Sequence, residues 1–230
     1  MTAHLENERA AILEAALRHV PFDGWTDAAL RAAVKDAGFE PGMAKRAFPD
    51  GGLGLIAAFV ADADRRMTKA LEERDLASLP IRERLATTVR VRLEQNEPYE
   101  EAIRRAVGTQ TRGPGVLSAA FGVYRTVDAM WRAAVDDSTD FSFYTKRGLL
   151  AGVYVATLLY WLDDQSDGHA DTWEFLDRRI SDVLNIRKIR GEVEALCRRV
   201  PDLRSFLRRS PLRTASWRRA RKGRTSHPAA

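Results

Sequence analysis

FDGWTDAALRAAVKDAGFEPGMAKRAFPDGGLGLIAAFVADADRRMTKALEERD (22–75) holds two short helical patterns, two breaks and one long helical pattern. Thr26 can cap a short helix running through Val34, and Gly38 ends it. Glu40-Pro41 opens a second short helix over 42–47, and Pro49 closes it. The long segment 53–75 then places Ile56, Phe59, Val60, Ala63, Met67 and Leu71 on one inward face at helical spacing. Upstream, ENERAAILEAALRHV (6–20) does the same with Ala10, Leu13, Leu17 and Val20.

Downstream, helical periodicity fills nearly everything. Pro80 opens a helix with Leu85, Val89 and Leu93 inward, and Pro98 opens a shorter one through Val107. VLSAAFGVYRTVDAMWRAAVDD (116–137) follows Gly113-Pro114-Gly115. FSFYTKRGLLAGVYVATLLYWLDD (141–164) is so apolar that it predicts the central helix, buried on most sides. Asp171 with Glu174 predicts a capped helix over 172–186. A last one spans about 190–209, weakened by Pro201. The expectation is an all-α fold of about ten helices, with 210–230 patternless. Three short helices, then a long one, then larger ones is the helix order of TetR-like regulators. Residues 1–50 would be the helix-turn-helix, 51–187 the helical body, 188–209 a basic amphipathic helix and 210–230 a disordered basic tail.

Apolar residues make up 45% of the 230-residue chain and charged ones 30%, enough for a sizeable core. No run approaches 18 consecutive apolar residues, so no transmembrane span is expected. Cys197 is the only cysteine, which excludes an intrachain disulfide and a cysteine-based zinc site. The net charge of +5 conceals a division: residues 187–230 carry 14 Arg and Lys against 3 Asp and Glu, and residues 1–186 carry 23 against 29. The tail therefore holds all the surplus charge and should meet something anionic.

Residues 1–50 hold 6 basic and 8 acidic side chains, with only Lys45 and Arg46 on the would-be recognition helix. That is poor equipment for phosphates, so no nucleic-acid partner is expected. DDQSDGHAD (163–171) lacks the alternating acids and closing Glu of a calcium loop and reads as an interhelical loop. No metal site follows from it. There is no di-iron Glu-x-x-His pair, nucleophile elbow or phosphate loop, so no catalytic residues and no cofactor are predicted.

Three features remain. STDFSFYTKR (138–147) crowds Phe141, Phe143 and Tyr144 beside Asp140, Lys146 and Arg147, the composition of a protein-contact hot spot or of an aromatic helix start. Tyr124, Met130, Trp131, Tyr154, Leu158 and Trp161 form a bulky stripe that suits either a core or a cavity for a long apolar molecule. Leu203, Phe206 and Leu207, flanked by Arg204 and Arg208 and followed by Trp217, have the pattern of a helix lying in a membrane surface. A helix docked on the body would have the same pattern.

STDFSFYTKRGLLAGVYVATLLYWLDDQSDGHADTWEFLDRRISDVLNI (138–186) resembles the signature of the Coq-nine-type ubiquinone biosynthesis proteins. VPFDGWTDAALRAAVKDAG (20–38) and VDAMW (127–131) resemble further parts of that family, so the likeness covers roughly 8–190. It implies a TetR-like fold with a degenerate helix-turn-helix and a non-catalytic accessory protein binding isoprenoid or quinone lipid. The implied partners are the di-iron demethoxyubiquinone hydroxylase, an anionic membrane surface and a second copy of the chain. It further implies that Phe143 and Tyr144, where relatives carry Trp-Tyr, meet the hydroxylase, with Asp140 in the same patch. MTAHLENERA shows no mitochondrial targeting pattern, so the expected location is the bacterial cytoplasm, at the inner face of the membrane. A ligand-responsive transcription regulator and a structural adaptor with a filled core are the alternatives.

Overall fold

Thr26 sets the first turn of the molecule. Its backbone is extended, and its hydroxyl accepts a hydrogen bond from the Ala29 N–H at 3.2 Å, satisfying a donor that the helix start leaves free. The computed structural model describes residues 2–110, 115–134 and 143–199, with side chains over 4–110, 115–134 and 146–184. Its helices are α1 Thr2–Asp23, α2 Asp27–Asp36, α3 Met43–Ala47, α4 Gly51–Glu72, α5 Ile81–Glu94, α6 Glu100–Gln110, α7 Gly115–Ala134, α8 Phe143–Trp161 and α9 Ala170–Arg199. Three 3-10 turns lie at Leu76–Ser78, Glu97–Tyr99 and Asp167–His169, and no strand occurs among the described residues.

Gly38, at φ +77°, ends α2 in the left-handed region that suits glycine. α1 and α2 bury Ile12, Ala16, Val20, Leu30, Ala33 and Val34 together with Phe48. Trp25 ties α1 and α2 to the body. Its indole N–H donates to the Ala102 carbonyl at 2.8 Å, and its ring lies 5.5 Å from that of Phe59. Gly52 makes this approach possible, because a Cβ there would stand 2.0 Å from the Trp25 carbonyl oxygen. Residues 1–50 thus share one core with the helices that follow. The chain divides into two compact units, Met1–Leu184 and Asn185–Ala230.

α4 and α7 run parallel: Gly122 faces Val60, and one turn on Thr126 reaches Asp64. Arg104 of α6 donates to the Leu162 carbonyl at the end of α8.

Two expectations change. α8 is not buried on most sides, since Gly148, Gly152, Leu159 and Tyr160 are exposed. Apolarity alone does not say how many neighbours a helix has. α9 continues unbroken to Arg199, where the sequence predicted a break near 187–190. NIRKIRGEVEAL contains no proline, and Gly191 alone does not stop a helix. The start of α9 also differs, because its cap comes from Asp164 and not from Asp171. The Asp164 carboxylate accepts from the Thr172 N–H at 2.9 Å and the Thr172 hydroxyl at 2.5 Å. Its other oxygen accepts from the Ser166 N–H at 2.8 Å. Burial opposes ionisation of this carboxyl, but the hydrogen bonds from Thr172 and Ser166 outweigh it and hold Asp164 well below the usual carboxylate range.

Candidate functional site

Five helices leave a cavity of about 290 Å³ between them. α4 contributes Phe59 and Val60, α6 contributes Ile103, Ala106, Val107 and Gln110, and α7 contributes Ala119, Gly122, Val123 and Thr126. α8 supplies Tyr154, Val155, Leu158 and Leu159, and α5 supplies Arg92 and Leu93, with Asn96 just beyond its end. The space exists because α7 turns only small or branched side chains toward α4 and α8. Leu159 lines the cavity yet is 50% exposed, which places the opening beside it.

One corner is polar. Asp64 and Arg92 are both buried, and their side chains meet with the Arg92 Nε 3.3 Å from the Asp64 carboxylate. The same carboxylate oxygen accepts from the Thr126 hydroxyl at 2.8 Å. Asn96 donates to the Arg92 carbonyl, and its own side-chain oxygen accepts from Arg66 at 3.3 Å. The Tyr154 phenol stands in the same field: burial pushes it up from its ordinary value, with Arg92 opposing and Asp64 reinforcing that rise. The corner couples α4, α5, α7 and α8.

The six stripe residues part company. Tyr154 and Leu158 line the cavity. Met130 and Trp161 do not: both are fully buried and fill the core. Among the described residues the Trp161 indole nitrogen and the neighbouring His169 Nδ1 have no hydrogen-bond partner, and His169 sits at φ +55°. Tyr124 is 46% exposed on the outer face of α7 with Leu117 and Phe121, turned away from the Ala119–Val123–Thr126 face. Trp131 is half-buried, with the Arg147 guanidinium 6.0 Å from its ring centre. Bulk decided the prediction, whereas the cavity forms where small side chains meet. The sequence reading missed Asp64, Arg92, Asn96 and Thr126. Their signal was a polar residue inside an apolar face: Asp64 follows Val60 by one turn, and Thr88, Arg92 and Asn96 repeat every four residues beside Leu85, Val89 and Leu93.

Arg147 anchors the first turns of α8. It is buried and donates to Asp128 of α7 at 2.7 Å. Phe143 and Tyr144 begin that helix, but their side chains lie outside the described residues, as does Asp140. Leu203, Arg204, Phe206, Leu207, Arg208 and Trp217 lie outside them too. In the 163–171 loop Asp164 is committed to capping, and among the described residues no three His, Cys, Asp or Glu side chains gather as a cation site. Among the described residues no helix is long and apolar enough to cross a membrane.

The family model of COQ9 matches residues 117–187. The mitochondrial ubiquinone biosynthesis protein COQ9 of Drosophila melanogaster is 32% identical over 198 residues, covering 84% of this chain and 60% of that protein. Its counterpart in Bos taurus is 36% identical over 196 residues, covering 80% and 61%. The chain thus spans about 60% of the length of these curated relatives. The crystal structure of the TetR transcriptional regulator from Nitrosomonas europaea ATCC 19718 superposes with a TM-score of 0.61 at 21% identity, covering 75% of this chain and 95% of that one, a likeness of fold. The expected bacterial cytoplasmic location is overturned by the relatives, which are named as mitochondrial proteins. That expectation rested on the first ten residues, whose composition does not report a compartment. With most of its length aligned to them and its helices in the order of the regulator, this chain is a homologue of the COQ9 ubiquinone biosynthesis proteins, built on a TetR-like fold.

Proposed function

We propose that this protein is a non-catalytic accessory factor of ubiquinone biosynthesis that takes up isoprenoid or quinone lipid and presents it to the di-iron demethoxyubiquinone hydroxylase. The observation that carries the reading is the apolar cavity between α4 and α8, open beside Leu159. A structural adaptor has no use for such a space, and the relatives' names supply the pathway. At 290 Å³ the cavity lies at the small end of the range for small-molecule sites. It suits a head group and the first part of a chain, with the rest of a long tail outside.

The remaining roles follow the family resemblance. Phe143 and Tyr144 at the start of α8, together with Asp140, form the contact with the hydroxylase. Leu203, Arg204, Phe206, Leu207, Arg208 and Trp217 bring the tail onto anionic membrane, each arginine adding about 1 kcal/mol of attraction near the surface. A homodimer forms through the late helices, where α8 leaves open space over Gly148 and Gly152. A transcription regulator of the TetR type is the competing reading. The five-residue α3, offering Lys45 and Arg46 in a region of net charge −2, argues against it.

Purified protein extracted with organic solvent and analysed by mass spectrometry should release isoprenoid or quinone lipid. Ala106→Trp, which pushes an indole into the cavity, should abolish that cargo while preserving the helical circular dichroism. Wild-type protein that carries no such lipid and takes up none from liposomes refutes the proposal.

A further inference from the structure

A container for hydrocarbon needs no charge, yet Arg92 lines this cavity with only 4% of its surface exposed. Its Nε is spent on Asp64. Among the described residues its two terminal nitrogens have no hydrogen-bond partner, and neither does the Tyr154 hydroxyl, in a residue only 6% exposed. These polar atoms are not sealed in the core but reach the space of an otherwise apolar cavity, and a guanidinium brings five donors to it. Asp64 Oδ1 already accepts from Arg92 Nε and from the Thr126 hydroxyl, and Asn96 Oδ1 accepts from Arg66. A group that enters through the opening can meet both Arg92 and Tyr154.

The charge of the corner narrows the choice. Asp64 neutralises Arg92, so the pair offers oriented N–H groups with no net charge. That favours a neutral acceptor oxygen over a phosphate, whose desolvation needs an unpaired cation to offset it.

Resting on the lipid-container reading above, we propose that Arg92 and Tyr154, set by Asp64 and Thr126, form the head-group subsite of the cavity. It takes a neutral head bearing carbonyl, phenol or alkoxy oxygens. The hydrocarbon of the same molecule runs along Val155 and Leu158 toward Leu159. Tyr154 and Leu159 are five residues apart on α8, about 7 Å along its axis, so a head group fills the inner part and the chain leaves through the opening. The corner thus selects which apolar molecule is carried.

The test uses the full-length protein and three probes in equilibrium dialysis: a dimethoxybenzoquinone bearing two isoprene units, the same ten-carbon chain as a plain hydrocarbon, and geranyl phosphate. Wild type should bind the quinone about tenfold or more tightly than the hydrocarbon, the value of hydrogen bonds from a charged donor. Tyr154→Phe should narrow that preference several-fold. The paired change Asp64→Leu with Arg92→Met, which removes the polar corner without stranding a charge, should abolish it. Hydrocarbon affinity, measured in each variant, is the reference against which that preference is read. The head-group assignment is overturned if wild type binds quinone and hydrocarbon equally, if Tyr154→Phe keeps the full preference, or if geranyl phosphate binds best. If wild type binds none of the probes, the lipid-container reading falls and takes this assignment with it. Tyr154→Phe keeps ring and volume, so it decides the question even if the paired variant does not fold.

Discussion

Asp64→Asn isolates the buried charge pair on which the polar corner depends. The amide preserves shape and can still accept from the Thr126 hydroxyl, 2.8 Å away in the native protein. What it removes is the counter-charge of Arg92, whose side chain is 4% exposed. Leaving one member of a buried pair alone costs about 3–5 kcal/mol. The Asp64 side chain keeps 11% exposure and the cavity is open beside Leu159, so water can approach, and the lower end, about 3 kcal/mol, is expected. For a chain of this size that is a fall in Tm of about 6–12 °C. The paired change Asp64→Leu with Arg92→Met should recover most of the loss, ending within about 1.5 kcal/mol of wild type, because apolar isosteres often replace a buried pair without cost. Denaturant unfolding followed by circular dichroism, run on wild type, both single variants and the pair, gives the coupling energy directly. Asp64→Asn within about 1 kcal/mol of wild type would refute the reasoning, as would a pair of substitutions as damaging as either alone.

Two glycines should respond with opposite signs. Gly52→Ala brings a Cβ to 2.0 Å from the Trp25 carbonyl oxygen, and the backbone shift should cost about 1–3 kcal/mol in denaturant unfolding. Gly148→Ala meets nothing within 4 Å in mid-helix and should gain about 0.5–1 kcal/mol as a monomer; a gain at both sites would contradict the packing at Trp25. The start of α9 should be acid-labile. Since Asp164 is held below its ordinary value of 3.8, its contribution is complete above that value and is lost as pH falls through and below it. Asp164→Asn should flatten the fall of unfolding free energy below pH 3.8 and leave the chain less stable at neutral pH; an unchanged acid limb would show that the cap contributes nothing.

The helices themselves were legible. Thr26, Gly38, Pro80 and Pro98 act through local backbone rules, and the structure puts helix ends beside each of them. The inward faces of α4 and α5 followed from periodicity, and Ile56, Phe59, Met67, Leu85, Val89 and Leu93 are buried as the spacing requires. Order and length of the helices were enough for the TetR-like plan, because short and long amphipathic segments in that sequence pack in few ways.

Which faces meet lay beyond local rules. Tyr124 and Trp161 have the same kind of side chain and the same kind of neighbours in sequence, yet one is 46% exposed and the other fully buried. Only the rotation of α7 and α8 against α4 decided that, and rotation is set by side chains far apart in the chain. The same holds for the cavity: it is the gap left where Ala106 of α6 faces Ala119, Gly122 and Val123 of α7. Asp64, Arg92 and Thr126 are 28 and 62 residues apart by their hydrogen bonds to the shared carboxylate. A polar residue in an apolar stripe announces itself in the sequence. Its partner is chosen only when the helices pack, because a buried charge costs too much to stand alone.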